Sequence, residues 1–95
     1  MKTFDISCPF GRELRQDDIR VKAAAELRLR RNAVINVIDP SKSFQPAMAG
    51  AAATCRIVRK SIDARGEVKM VYKVEAYLAG EDYKEYEILS TSNEN

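Results

Sequence analysis

Cys8 and the two arginines that follow it, in Cys8-Pro9-Phe10-Gly11-Arg12-Glu13-Leu14-Arg15, are the first place where this chain could do chemistry. A thiolate phosphatase loop has the form Cys-x-x-x-x-x-Arg, so that backbone amides and one guanidinium surround a phosphate. Here Leu14 holds the arginine's position and Arg15 comes one residue late. Neighbouring guanidinium groups still lower a thiol's pKa, which leaves a redox or acyl-transfer nucleophile at Cys8 as one reading. A buried structural cysteine beside a surface arginine loop is the simpler one, and it is the one adopted.

Other reaction chemistries fall away by elimination. The chain has no histidine, so Ser-His-Asp and Cys-His nucleophile activation and His-ligated metal sites are unavailable. Cys8 and Cys55 are too far apart in sequence for the paired-thiolate spacing of a zinc or iron–sulfur site. Glu85 and Glu87 share a face if they lie on a strand, but charges on an edge strand serve to discourage aggregation. Gly11, Gly50, Gly66 and Gly80 are isolated, so no glycine-rich phosphate loop exists. The expectation is a protein that is not an enzyme, with no cofactor and no metal.

Binding chemistry has more material. Net charge is only +2, but it is unevenly spread. Residues 1–66 carry thirteen Lys/Arg against seven Asp/Glu, a balance of +6. Residues 67–95 carry three against seven, a balance of −4. Such a split suits contacts between oppositely charged surfaces. Candidate partner-binding residues are therefore Arg20, Lys22, Arg28, Arg30 and Arg31, with Phe10, Tyr83 and Tyr86 as aromatic anchors. In the alternative, nucleic-acid reading, Arg28, Arg30, Arg56, Arg59 and Lys60 would neutralise phosphates. Against that alternative, Phe4, Tyr72 and Phe44 sit among core positions rather than on an exposed stacking face. The sequence pI of about 8.6 is also modest for such a role.

The elements that must position these residues are legible through periodicity. From Asp18 to Val37 apolar residues alternate with polar ones, and a period of two reads as a half-buried strand with a basic outer row. Local propensity opposes this: Ala23-Ala24-Ala25-Glu26-Leu27 favours a helix, and Asp17 or Asp18 could cap it. On a helical wheel, however, Ile19, Val21, Leu27 and Leu29 scatter, so the strand is preferred. Arg31-Asn32 would then turn a hairpin into Ala33–Ile38. On the helical alternative, Asn32 is the C-cap and Ala33–Ile38 is the strand that follows.

Elsewhere, Thr3–Cys8 reads as a first strand, ended by Pro9-Phe10-Gly11. Asp39–Ser43 reads as a loop and Phe44–Thr54 as a short helix. Cys55–Ile62, Val68–Leu78 and Tyr83–Leu89 read as three strands joined by glycine-containing turns. In the middle one, Val68, Met70, Tyr72, Val74, Ala76 and Leu78 share a face. The order of a strand ending at Pro40, then Phe44, Gln45 and Met48, then Arg56-Ile57-Val58-Arg59 is similar to the strand, helix and strand of the small phycobilisome linker domain. The chain lacks the Gly-Gly before that last strand and has Pro46 within the helix, and no residue role is carried over.

The expected fold is α+β and β-rich: an antiparallel sheet with a C-terminal three-strand meander and one or two helices. One compact domain would span 1–90, with a flexible polar tail over 91–95. The expected role is a non-catalytic protein–protein interaction module, a small assembly, adaptor or structural subunit. Its partners would be other proteins in a larger complex or a homo-oligomer, with an RNA-binding accessory role as the alternative and no membrane. With no signal-peptide segment and no disulfide framework, the expected location is cytoplasmic with both thiols free.

Overall fold

A computed structural model describes residues 1–38 and 50–86 of the chain. Four strands and one helix follow in the order β1 (Lys2–Pro9), α1 (Gln16–Leu27), β2 (Ile35–Val37), β3 (Ala53–Asp63) and β4 (Lys69–Leu78). The sheet runs β1-β4-β3-β2. β4 pairs antiparallel with both β1 and β3, whereas β2 pairs parallel to β3. The fold is thus α+β with a mixed sheet, which corrects the expectation of a purely antiparallel one.

The strand expected over Asp18–Val37 is not formed. Its first half is α1, and only Ile35–Val37 is extended. Helix propensity prevails here because the helix needs only a narrow buried stripe. Ile19, Ala23 and Ala24 are buried, while Val21 is simply left in water at 66% exposure. The scatter that argued against a helix counted Val21 and Leu29 as core residues on the wheel, but Leu29 lies beyond the helix end. The basic row of Arg20, Lys22, Arg28 and Arg30 along one strand therefore does not exist.

Both ends of α1 are fastened. At its start, the carboxylate of Asp18 accepts from the Arg15 backbone N–H at 3.1 Å, one half of a capping box. At its end, Arg28 adopts the left-handed conformation with φ 56°. Arg28 N–H donates to Ala25 O at 3.3 Å and Leu29 N–H to Ala24 O at 2.9 Å, the paired bonds of a Schellman cap. The cap is thus Arg28, neither Asn32 nor a hairpin at Arg31-Asn32.

One face of the sheet is covered by α1. Residues opposite one another in a ladder share a face, so Phe4, Val74 and Ile57 line up, as do Ala76 and Cys55. With Ile19, Ala23, Ala24, Ile35 and Ala53 they form the main core. The seam is built of small groups: Ala23 and Ala24 on the helix, Ala53, Cys55 and Ala76 on the sheet. Small side chains let the helix axis approach the sheet closely while excluding water. On the opposite face a second cluster joins Ile38, Tyr77 and Tyr86.

β3 and β4 form a long hairpin closed by a turn around Gly66, whose φ of +65° is unstrained only in glycine. Within it the register slips between Ile57 and Arg59, so Val58 is a bulged extra residue. The bulge changes the phase of alternation and puts Lys60 and Ile62 on the α1 side, opposite Tyr72 and Met70. Cys55–Ile62 and Val68–Leu78 are thus strands as expected, but the third strand of the meander is not found. Residues 83–86 make a helical turn that packs Tyr86 on Tyr77, with ring centroids 5.4 Å apart. Propensity of Tyr83-Lys84-Glu85-Tyr86 for strand yields to this buried aromatic contact. Residues 50–52 are not helical, and Ala53 and Thr54 open β3. The remainder of the expected helix at Phe44–Thr54, the loop over Asp39–Ser43, Glu87–Leu89 and the tail lie outside the described residues.

Candidate interaction surface

α1 covers only part of its sheet face. Beyond its N-terminal end the three-stranded portion of the sheet continues, and apolar residues there meet water. Phe10 N–H donates to Val68 O at 3.0 Å, which extends the β1–β4 ladder one pair past Pro9–Lys69. Phe10, Val68, Met70 and Ile62 thus fall on one face by register. Phe10 is 61% exposed, Ile62 60% and Val68 40%. A shallow groove of about 460 Å³ adjoins them, lined by Leu14, Ile57, Val58, Lys60 and Tyr72 among others. The Lys60 ammonium sits 5.7 Å from the centroid of the Tyr72 ring, a cation–π contact at the groove's edge.

The opposite face of the same strands is polar. Arg56 Nε donates to Glu75 Oε1 at 3.1 Å, and Tyr77 Oη donates to the same oxygen at 2.7 Å. Burial, with Glu75 as hydrogen-bond acceptor beside it, holds the Tyr77 phenol protonated well above its ordinary range. Arg59 stands opposite Lys73, a like-charge pair, and Lys73 in turn stands opposite Asp5, so this face carries charges of both signs.

The sequence-selected residues disperse over the surface. Arg20 is a structural clamp: Nε donates to Ile35 O at 3.1 Å, Nη1 to Asp17 at 2.9 Å and Nη2 to Gln16 at 3.2 Å. It ties the first turn of α1 to β2. Lys22 lies 3.7 Å from Glu26 along the helix. Arg28, Arg30 and Arg31 are exposed in the segment that follows α1, and Arg31 borders a groove with Val21, Ala25 and Leu29. Tyr83 is exposed, while Tyr86 is buried against Tyr77. Of the nucleic-acid set, Arg56 is held by Glu75, and Arg59 and Lys60 follow the hairpin bulge on opposite faces of the sheet. The structure therefore gathers Phe10 with the hairpin and gathers Arg28, Arg30 and Arg31 together, but it separates these two groups.

The thiols sit in the sheet. Cys8 and Cys55 are free and buried, and burial pushes the Cys55 thiol up to about 11. Cys8 borders a hollow of about 320 Å³ with Arg12, Arg15 and Asp18. In that hollow the Arg15 guanidinium lies 3.5 Å from the Asp18 carboxylate, so its charge is already answered. Among the described residues, no three His, Cys, Asp or Glu side chains converge as metal ligands. No helix of the described residues is long and apolar enough to cross a membrane.

Two features escaped sequence reasoning. Val68 reads as one of the apolar face of its strand and Ile62 as the end of another, and only the reach of α1 shows that nothing described covers them. The other is the outer edge of β1. Its signal was present in Pro9, because a strand proline is tolerated where its missing N–H faces away from the ladder. No family model, no curated protein and no solved structure matches the chain.

Proposed function

We propose that this chain is a non-catalytic protein–protein interaction module, a small assembly or adaptor subunit. The observation that carries this reading is the apolar strip of Phe10, Ile62 and Val68 beyond the end of α1. Apolar surface beside charge, here Glu13, Arg59 and Lys60 of the adjoining groove, is what association sites present. Scattered exposed apolar residues would carry no such meaning, but these three stand on adjacent strands of one face.

The test is recovery of bound proteins on the tagged wild-type chain and on Ile62→Lys, each with and without nuclease. Partners that survive nuclease on the wild type and are lost on I62K support the module. Recovery that collapses with nuclease and ignores I62K would overturn it. The nucleic-acid reading, which draws on the exposed Arg28, Arg30 and Arg31, would then replace it. Reversing Arg28 and Arg30 to Glu should abolish nucleic-acid retention in that case.

A further inference from the structure

Among the described residues, the outer edge of β1 is an unpaired row of backbone donors and acceptors. In an antiparallel ladder the residues alternate between those bonded to the neighbour and those pointing away. The bond from Phe10 N–H to Val68 O sets the phase, so Cys8, Ile6, Phe4 and Lys2 are the residues bonded to β4. Thr3, Asp5, Ser7 and Pro9 then direct their backbone groups outward. Pro9 agrees independently, since it has no N–H to give β4 in the first place. β1 is the terminal strand of the sheet, and Thr3, Asp5, Ser7 and Pro9 are all exposed. Among the described residues, no backbone hydrogen bond involves Thr3, Asp5 or Ser7 on that side.

We propose that two copies of this chain join edge to edge through antiparallel β1 strands, about a two-fold axis at Ile6. The partner's strand then reads backwards along the first. Asp5 of one copy faces Ser7 of the other, Thr3 faces Pro9, Phe4 faces Cys8, and Lys2 faces Phe10. The Asp5–Ser7 pairs are the bonded type, and each exchanges two amide-to-carbonyl bonds. Each Thr3 N–H gives one more bond to the Pro9 carbonyl of the other copy, as a second donor beside the Arg12 N–H that this carbonyl already accepts at 3.0 Å, and proline cannot return it.

Side-chain chemistry selects this register among the neighbouring ones. No like charges oppose each other, and the Asp5 carboxylate meets the Ser7 hydroxyl as acceptor to donor. An axis at Asp5 would set the two Asp5 carboxylates face to face, which is destabilising. An axis at Ser7 would place Asp5 opposite Pro9 and leave fewer bonds. With the axis at Ile6, the exposed Phe10 ring lies opposite Lys2, whose methylene stem offers it an apolar cover while its ammonium stays on Glu26, donating to the Glu26 carbonyl at 3.0 Å. α1 packs on one face of the sheet, in contact with both edge strands β1 and β2, and so does not lie in the plane of the sheet where a partner strand adds.

The inference specifies one partner within the interaction-module reading and rests on it, yet the two fail separately. Light scattering after gel filtration should give twice the monomer mass for the wild type and for I62K. Ser7→Pro removes an outward N–H without touching the β1–β4 ladder, so it should elute as a monomer with an unchanged circular dichroism spectrum. As an arm independent of proline, singly substituted D5C and S7C chains are mixed and oxidised. Opposed bonded pairs lie about 5.5 Å apart at Cα, within disulfide reach. The mixture should therefore cross-link as a D5C–S7C dimer, while either variant alone should not. A monomeric wild type, a dimeric S7P, or D5C that cross-links with itself as readily as with S7C would each overturn the proposal. A monomeric wild type that still loses protein partners on I62K would leave the module reading standing without this partner.

Discussion

Arg56 and Glu75 stand directly opposite one another on β3 and β4, joined at 3.1 Å, and Tyr77 two residues along β4 donates to the same carboxylate oxygen at 2.7 Å. One oxygen thus takes a charged and a neutral donor at once. The arrangement lets the fully buried ring of Tyr77 keep its hydroxyl satisfied while anchoring the second cluster through Tyr86.

Removing that hydroxyl isolates its contribution. Tyr77→Phe should lower stability by about 1 kcal/mol, the net worth of one intramolecular hydrogen bond. Glu75→Gln should cost about 1–2 kcal/mol, because a partly buried charged acceptor is lost to both donors. Urea unfolding midpoints check both, and a Y77F chain as stable as the wild type would show the bond to be energetically idle.

The small-residue seam under α1 sets a packing test. Ala23 is completely buried against the sheet. Ala23→Leu should destabilise by about 1–3 kcal/mol, because the helix must lift off Ala53, Cys55 and Ala76 to admit the added atoms. The same substitution at Ala25, which is exposed, should be near neutral. Equal effects at the two sites in thermal unfolding would count against the described helix orientation.

The left-handed cap gives a prediction of opposite sign. A side chain at φ 56° is strained where glycine is not. Arg28→Gly should therefore raise stability by about 0.5–1 kcal/mol, read as a higher urea midpoint with unchanged slope. That result would show that an arginine is kept at this position at some cost to the fold.

Alkaline pH should weaken the fold through two buried groups. Cys55 is raised from an ordinary 9.0 to about 11 by burial, and Tyr77 is raised by burial and by its bond to Glu75. A group whose folded pKa lies above its unfolded value contributes fully below the unfolded value and loses that contribution as pH rises toward the folded one. Stability should thus hold up to about pH 9 and decline above it. The Cys55 thiol should resist alkylation in native buffer and label only across the urea transition. Native-state labelling at the rate of a free thiol would contradict its burial.

Much of the sheet was legible because strand alternation reports directly on a two-sided environment. Thr3–Cys8, Cys55–Ile62 and Val68–Leu78 are strands within a residue or two of their observed bounds. The same signal misled at Asp18–Val37, where alternation was an accident of composition. Three successive alanines fit either period, and the outcome turned on which face the rest of the molecule would bury. Tyr83–Tyr86 likewise has strand propensity, but the ring of Tyr77 on the far side of the sheet captures Tyr86 in a helical turn. Among the residues of the proposed interaction strip, Phe10 was legible as an aromatic next to a turn. Ile62 and Val68 were not, since exposure depends on where α1 ends rather than on their own neighbours in sequence.

The sequence by itself determined the class of molecule: β-rich, free of the histidine needed for the commonest nucleophilic and metal chemistries, with two free thiols in strands and an uneven charge. Those properties follow from residue identity and short-range spacing. Tertiary structure alone decided that β2 runs parallel to β3, that Arg20 is spent on the Ile35 carbonyl, and that β1 is the last strand of the sheet among the described residues. Each of these depends on contacts between residues far apart in the chain. Local periodicity can say that a strand exists and which side is apolar, but not which neighbour satisfies its other edge.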